Sequence, residues 1–314
     1  MASIQDTIIR EERTAAHIAE SNTIKTPLLA KSRIETNSKG TVYYLAYGSN
    51  LSKATFQGKR GIKPLSSENV HVPSLDLTFD LPGMPYSEPC YANCRYRDPD
   101  ARPTKSPYHK DRWQKGMIGV VYEVTLEDFR TIIKTEGGGV GYQDVMVECF
   151  VLPKGAETLD EGLHKVGVPI KAHTLLAARD ITGTWEMRKD VSYAQPSARY
   201  LGLIIDGARE HDLPADYIAY LKDIRPYRIN TFRQNIGKKV FGLTWWIGLM
   251  FVFMVGKALS DKDGRVPKLW AQVMKGYMKV LFIFYDNIFK RIFGDGEGIV
   301  EDNVDFKQMQ RIKK

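Results

Sequence analysis

Through the first two thirds of the chain, apolar residues alternate or gather in short runs, a pattern that predicts strands more often than helices. Val42 to Tyr47 is a β-branched and aromatic run. It breaks at Gly48-Ser49-Asn50, a turn of small hydrogen-bonding residues, and resumes at Leu51. A short helix is expected from Leu51 to Gly58, capped by Asn50 or Ser52. Leu75 to Leu81 sets Leu and Phe against Asp and Thr at period two, as a half-buried strand does. The stretch from Pro82 to Gly116 carries Pro82, Pro85, Pro89, Pro99, Pro103 and Pro107 and reads as a long loop. Met117 to Val124 predicts a core strand, Tyr142 to Leu152 and Ile170 to Leu176 two more, and Ala198 to Ile205 a less regular extended piece. Helical spacing appears after Thr125, a cap residue, through Phe129, Ile132 and Ile133, and ends at Glu136-Gly137-Gly138-Gly139. It appears again from Asp206 to Leu221. The body is therefore a β-rich α+β domain.

The two ends differ from the body. Residues 1–40 are polar without a sustained period and read as a mobile arm, with a short helix around Ile8 to Ile18. Near the other end, the 17 residues from Val240 to Gly256 hold no charge. As a helix they would span about 25 Å, near the lower limit for crossing a bilayer. A buried helix of the body is the alternative. Within residues 269–293, Gln272, Lys275, Lys279, Asp286 and Lys290 share one helical face and apolar residues the other, as in a helix lying in a membrane interface.

Charge sharpens this division. The chain of 314 residues carries a formal net charge of +8, with 18 Lys and Arg against 9 Asp and Glu from Leu221 onward and 27 against 28 before it. A near-neutral body argues against nucleic-acid binding, and basic residues flanking apolar helices favour a membrane surface. The first thirty residues lack an apolar run of signal-peptide length. The expectation is a C-terminal anchor on the cytosolic face of an intracellular membrane, with the rest of the chain cytoplasmic. The three cysteines, Cys90, Cys94 and Cys149, are an odd number in a long chain and no His-rich segment accompanies the Cys90/Cys94 pair, so neither a disulfide framework nor a zinc site is expected.

Two features carry candidate chemistry. The Gly48-Ser49-Asn50 turn can aim several backbone N–H groups at one point, which suits a carboxylate or an oxyanion; an ordinary turn looks the same in sequence. Glu136, where a helix runs into Gly137-Gly138-Gly139-Val140-Gly141-Tyr142, can project a carboxylate into a cleft that no neighbouring side chain crowds. A solvated acid on a loop is the alternative reading.

The run Tyr44-Leu45-Ala46-Tyr47-Gly48-Ser49-Asn50-Leu51, followed by Glu136-Gly137 and a Gly-Tyr pair, resembles the γ-glutamylcyclotransferase family. Pro196-Ser197-Ala198-Arg199-Tyr200 and Asp206-Gly207-Ala208-Arg209-Glu210 through Leu213-Pro214 are similar to its C-terminal stretch. The resemblance covers roughly Tyr43 to Ile224, places a catalytic domain at 41–226, and leaves 227–314 as a basic tail. It implies a small, partly closed β-barrel with flanking helices and no cofactor. It also implies that Glu136 acts as the acid/base residue, that Tyr44, Leu45, Ala46, Tyr47, Gly48, Ser49 and Asn50 hold a small-molecule γ-glutamyl substrate, and that Tyr200 lines the pocket. The reaction implied is cyclisation of a γ-glutamyl amide to 5-oxoproline with release of an amine. Length and the opening motif are similar to fungal members that trim glutathione adducts in pathways to sulfur-bridged toxins. A γ-glutamylamine-specific enzyme and an inactive membrane-tethered scaffold of the same fold remain alternatives, and a homodimer is compatible with all three.

Overall fold

The computed structural model describes residues 34–97, 110, 112–136, 142–160, 162, 167–177 and 194–298. The expected arm and its short helix lie almost entirely outside them, as do Gly137 to Gly141. Five strands close a barrel in the order β1 (Val42–Ala46), β5 (Met117–Val124), β2 (Ser66–Val72), β6 (Gln143–Val151) and β7 (Ile170–Leu176). Neighbours pair antiparallel except at the seam, where β1 meets β7 in parallel with Tyr44 opposite His173. β5 is buried at all eight positions because it is flanked by β1 and β2 and covered on both faces. β6 instead alternates, with Val145, Val147 and Cys149 inward and Met146 and Glu148 outward.

Three expectations change. The proline-rich stretch is not all loop: β3 (Leu75–Met84) and β4 (Glu88–Tyr96) form a long hairpin, with Pro82 opposite Cys90. This two-stranded sheet lies outside the barrel, so each strand has an unpaired edge where a proline removes no ladder bond. Second, the extended piece at Ala198 is helical. α2 (Ala198–Glu210) is capped by Ser197, whose hydroxyl accepts from Tyr200 N–H at 3.0 Å, and α3 (Ala215–Asp223) follows after a break at His211–Pro214. Third, Leu51 to Gly58 is a 3₁₀ turn (Ser49–Leu51) followed by a single π turn (Ala54–Lys59) rather than an α-helix.

α1 (Leu126–Thr135) begins as expected at Thr125, which accepts from Asp128 N–H at 3.0 Å. It packs Phe129, Ile132 and Ile133, all fully buried, into the main core with the barrel, α2 and α3. Burying three such side chains stabilises this attachment by roughly 1.5–3 kcal/mol each. The cysteines are free and buried.

The tail folds as a helical hairpin. α4 (Phe232–Leu259, with a π turn at Gly242–Trp246) starts at a Thr231/Gln234 capping box and is longer than the apolar run alone suggests. α5 (Lys268–Phe284) returns beside it and continues through a π turn (Tyr285–Phe289) into α6 (Lys290–Phe293). Gly248 and Gly256 let the helices close up, since a Cβ at either would meet Tyr277 or Trp270 at 2.5–3.0 Å. A second core joins this hairpin to the β3–β4 tip, where Tyr86 is buried among Phe241, Leu281 and Tyr285. Tyr86 adopts φ 64°, uncommon for a bulky residue, and its hydroxyl donates to Gly294 O at 2.7 Å.

Candidate active site

β1 and α1 are adjacent in the fold, so the turn after β1 and the end of α1 meet. Glu136 closes α1 with its N–H on the carbonyls of Ile132 and Ile133, at 3.0 and 3.2 Å. Its carboxylate then turns toward the β1 end. There Asn50 Nδ2 donates to Glu136 Oε1 at 3.1 Å and to the Tyr44 hydroxyl at 2.9 Å, while Asn50 Oδ1 accepts from Arg60 Nε at 2.8 Å. Arg60 also forms an ion pair with Glu136 through Nη2 and donates through Nη1 to Thr135 Oγ1. The pair is largely shielded, with the arginine side chain 12% and the glutamate 22% exposed. Glu136 is thus neither a solvated loop acid nor isolated.

Tyr44, Tyr142 and Tyr200 surround this carboxylate closely enough to feel its charge. Burial first, and the negative charge of Glu136 in addition, push all three phenols well above their ordinary pKa, although for Tyr200 a hydrogen bond from Ala92 partly opposes this. They remain neutral hydrogen-bond donors at physiological pH. Tyr200 accepts from Ala92 N–H at 3.1 Å, which leaves its own proton to donate elsewhere.

The β1 motif divides into two parts. Leu45 and Ala46 lie in the ladder opposite Val121 and Val120, with their side chains in the core, and Tyr47 donates its hydroxyl to Leu175 O at 2.5 Å. The side chains of these three build the scaffold. Gly48, Ser49 and Asn50 form the turn at the strand's end, where Leu51 N–H bonds to Gly48 O and Ser52 N–H to Ser49 O. Gly48 needs no left-handed conformation, its φ being −108°. A Cβ there would press on the Tyr200 hydroxyl at 3.3 Å, so a side chain at residue 48 would displace that phenol by a few tenths of an ångström. Gly207 brings α2 against the same turn, since its Cβ would lie 2.4 Å from the backbone of Leu51.

Arg60 and Tyr142 are the site residues that sequence reasoning did not assign. Lys59-Arg60 reads as a solvated basic pair, and no local signal marks Arg60 for the site. An open depression of about 540 Å³ lined by Arg209, Ile218 and Lys222 lies on α2 and α3, apart from this cluster. Among the described residues, no group of three His, Cys, Asp or Glu side chains is placed to hold a metal.

Residues 117–221 match the model of the AIG2-like family. Over 264 residues the chain is 31% identical to the γ-glutamyl cyclotransferase gliK of Aspergillus fumigatus, a match covering 82% of this chain and 90% of that one. The chain belongs to the γ-glutamyl cyclotransferase family. The γ-glutamyl cyclotransferase aclK of Aspergillus oryzae is 30% identical over 274 residues, 85% of this chain and 94% of its own. A solved γ-glutamyl cyclotransferase superposes with a TM-score of 0.42 at 19% identity, covering 61% of this chain and 92% of that one. Because 82% of 314 residues is more than the first 226, the similarity to gliK runs past residue 226 into the helical tail. The γ-glutamyl cyclotransferase assignment therefore takes in part of the hairpin, beyond the reach of the motifs in the sequence.

Proposed function

We propose that the chain cyclises a γ-glutamyl amide to 5-oxoproline with Glu136 as the proton shuttle. The observation that carries this reading is the Glu136 carboxylate, fixed by Asn50 and Arg60 beside the Gly48–Asn50 turn and within reach of the Tyr44, Tyr142 and Tyr200 phenols. The substrate supplies its own nucleophile, so orientation matters more than activation of an outside group. Glu136 takes a proton from the α-ammonium and the freed amine attacks the γ-carbonyl carbon, closing a five-membered ring. Backbone N–H groups of the turn stabilise the oxygen that becomes negative. As the C–N bond to the leaving group breaks, Glu136 returns its proton to the departing amine, and the ring nitrogen then passes its second proton through the same carboxylate to that amine, leaving a neutral lactam and an ammonium ion. Gly48, Ser49, Asn50 and Tyr200 line the substrate side of this arrangement, and Tyr44 acts through Asn50.

A glutathione-derived adduct is the proposed substrate, on the similarity of the opening motif and length to fungal members that trim such adducts. The tail is proposed to attach the enzyme to a membrane on its cytosolic face. That reading is supported by a 28-residue helix whose most apolar window is only 17% buried. Incubating the full chain with a γ-glutamyl dipeptide, glutathione and a glutathione S-conjugate, and measuring 5-oxoproline, tests the reaction and ranks the substrates. The expected result is fastest release from the conjugate. Release from none of the three would favour the inactive scaffold.

A further inference from the structure

Both ends of α4 rest on the same folded body. In its first turn Gln234 Nε2 donates to Asp295 O at 2.8 Å, and a third of the way along Phe241 packs edge-on against Tyr86 with ring centroids 5.9 Å apart. Beyond its end, in the loop to α5, Asp263 Oδ1 pairs with Arg130 Nε of α1 at 3.0 Å. Gly264 lies so close there that a Cβ would come within 2.4 Å of the Arg130 carbonyl. At 1.5 Å per residue the helix runs about 38 Å from Gln234 to its end at Leu259, and about 27 Å from Phe241. A helix crossing the bilayer would place that loop on the far side of about 30 Å of hydrocarbon, away from α1.

The outer side of the hairpin is apolar and its surroundings are cationic. Leu243, Ile247, Phe251 and Met254 recur at helical spacing on α4, each 57–72% exposed. Leu269, Val273 and Val280 continue an exposed stripe on α5. Residues 232–293 contain eleven Lys and Arg against three Asp and Glu, an excess equal to that of the entire chain. Such a surface repels a second copy of itself and complements phosphate-bearing lipid.

We infer that the hairpin seats the protein in one leaflet of an anionic membrane, lying in the plane of the interface instead of spanning it. This rests on the membrane-attachment reading above and specifies its geometry. Lysines around the apolar stripe meet headgroups while the stripe enters the acyl boundary, and the loop at Asp261–Pro267 stays on the enzyme's side.

The test uses the full chain, vesicles of phosphatidylcholine with and without phosphatidylserine, and an impermeant maleimide directed at Lys262→Cys, a loop position free of the buried native cysteines. The expected result is co-sedimentation with the phosphatidylserine vesicles that weakens with salt, and labelling from outside equal to that in vesicle-free solution. Phe251→Asp should weaken vesicle binding by about tenfold or more while 5-oxoproline release in solution is unchanged. Co-sedimentation with Lys262→Cys protected would overturn the in-plane geometry and leave attachment standing. Absence of binding to either vesicle would overturn both. A vesicle-free dimer that Phe251→Asp converts to monomer would assign the face to a second copy.

Discussion

Glu136, Arg60 and Asn50 form a triangle in which each side chain holds the other two, so substitutions there should not act independently. Removing one partner of a fully buried pair costs about 3–5 kcal/mol, and partial exposure should reduce this to about 1–3 kcal/mol for Arg60→Ala. Adding Glu136→Gln to that variant removes the orphaned charge, so a urea-denaturation cycle should show the double variant more stable than the sum of the singles. Strict additivity would mean that the pair is not coupled in solution. Asn50→Asp keeps the shape of the side chain but sets a second negative charge 3.1 Å from Glu136 Oε1 and removes the donor to Tyr44. Turnover should fall by roughly two orders of magnitude, the size of a general acid–base contribution. At this scale the sequence was legible where glycine marks a break in pattern, as at Gly48 and after Glu136. Arg60 was not, because its carboxylate partner lies 76 residues away and nothing local distinguishes it from the solvated Lys59.

Elements carry these residues to one place. α2 approaches the turn backbone to backbone only because residue 207 is glycine. Gly207→Val should therefore push α2 off Leu51, lower stability by about 1–3 kcal/mol as overpacking does, and reduce turnover through displaced Asn50. Denaturation and 5-oxoproline kinetics on the one variant check both effects, and unchanged values in both would show that the turn tolerates a shift of α2. Elements were legible where burial was uniform or alternating, as in β5 and β6. β2 was missed because Ser66, Ser67 and Glu68 are exposed, Asn69 is half-buried and only Val70-His71-Val72 is buried. The β3–β4 hairpin was hidden by prolines that only an unpaired strand edge admits. α2 was hidden by Gly202 and the adjacent Ile204-Ile205, local preferences overridden when Tyr200, Leu201, Ile204 and Ala208 pack into the core.

For the whole molecule, the barrel brings Asn50 and Glu136 together across 86 residues, and no local signal could reveal that contact. The same closure buries many phenols. Tyr44, Tyr142, Tyr200 and Tyr217 have pKa values raised chiefly by burial, so the folded state retains their protons more tightly than the unfolded chain. Their contribution is complete below the unfolded value of about 10 and is lost as pH rises through the folded values. Thermal melts should then be insensitive to these groups up to about pH 10 and fall steeply above it; a melting temperature that holds into stronger alkali would show the phenols to be solvated. The most direct test of Glu136 as proton shuttle is turnover of the full chain carrying Glu136→Gln, measured as 5-oxoproline release beside calorimetric binding of a γ-glutamyl ligand. The amide keeps the shape but cannot take the proton, so kcat should fall by about 10²–10⁴ with ligand affinity changed by only a few-fold. Near-normal turnover in that variant would contradict the account.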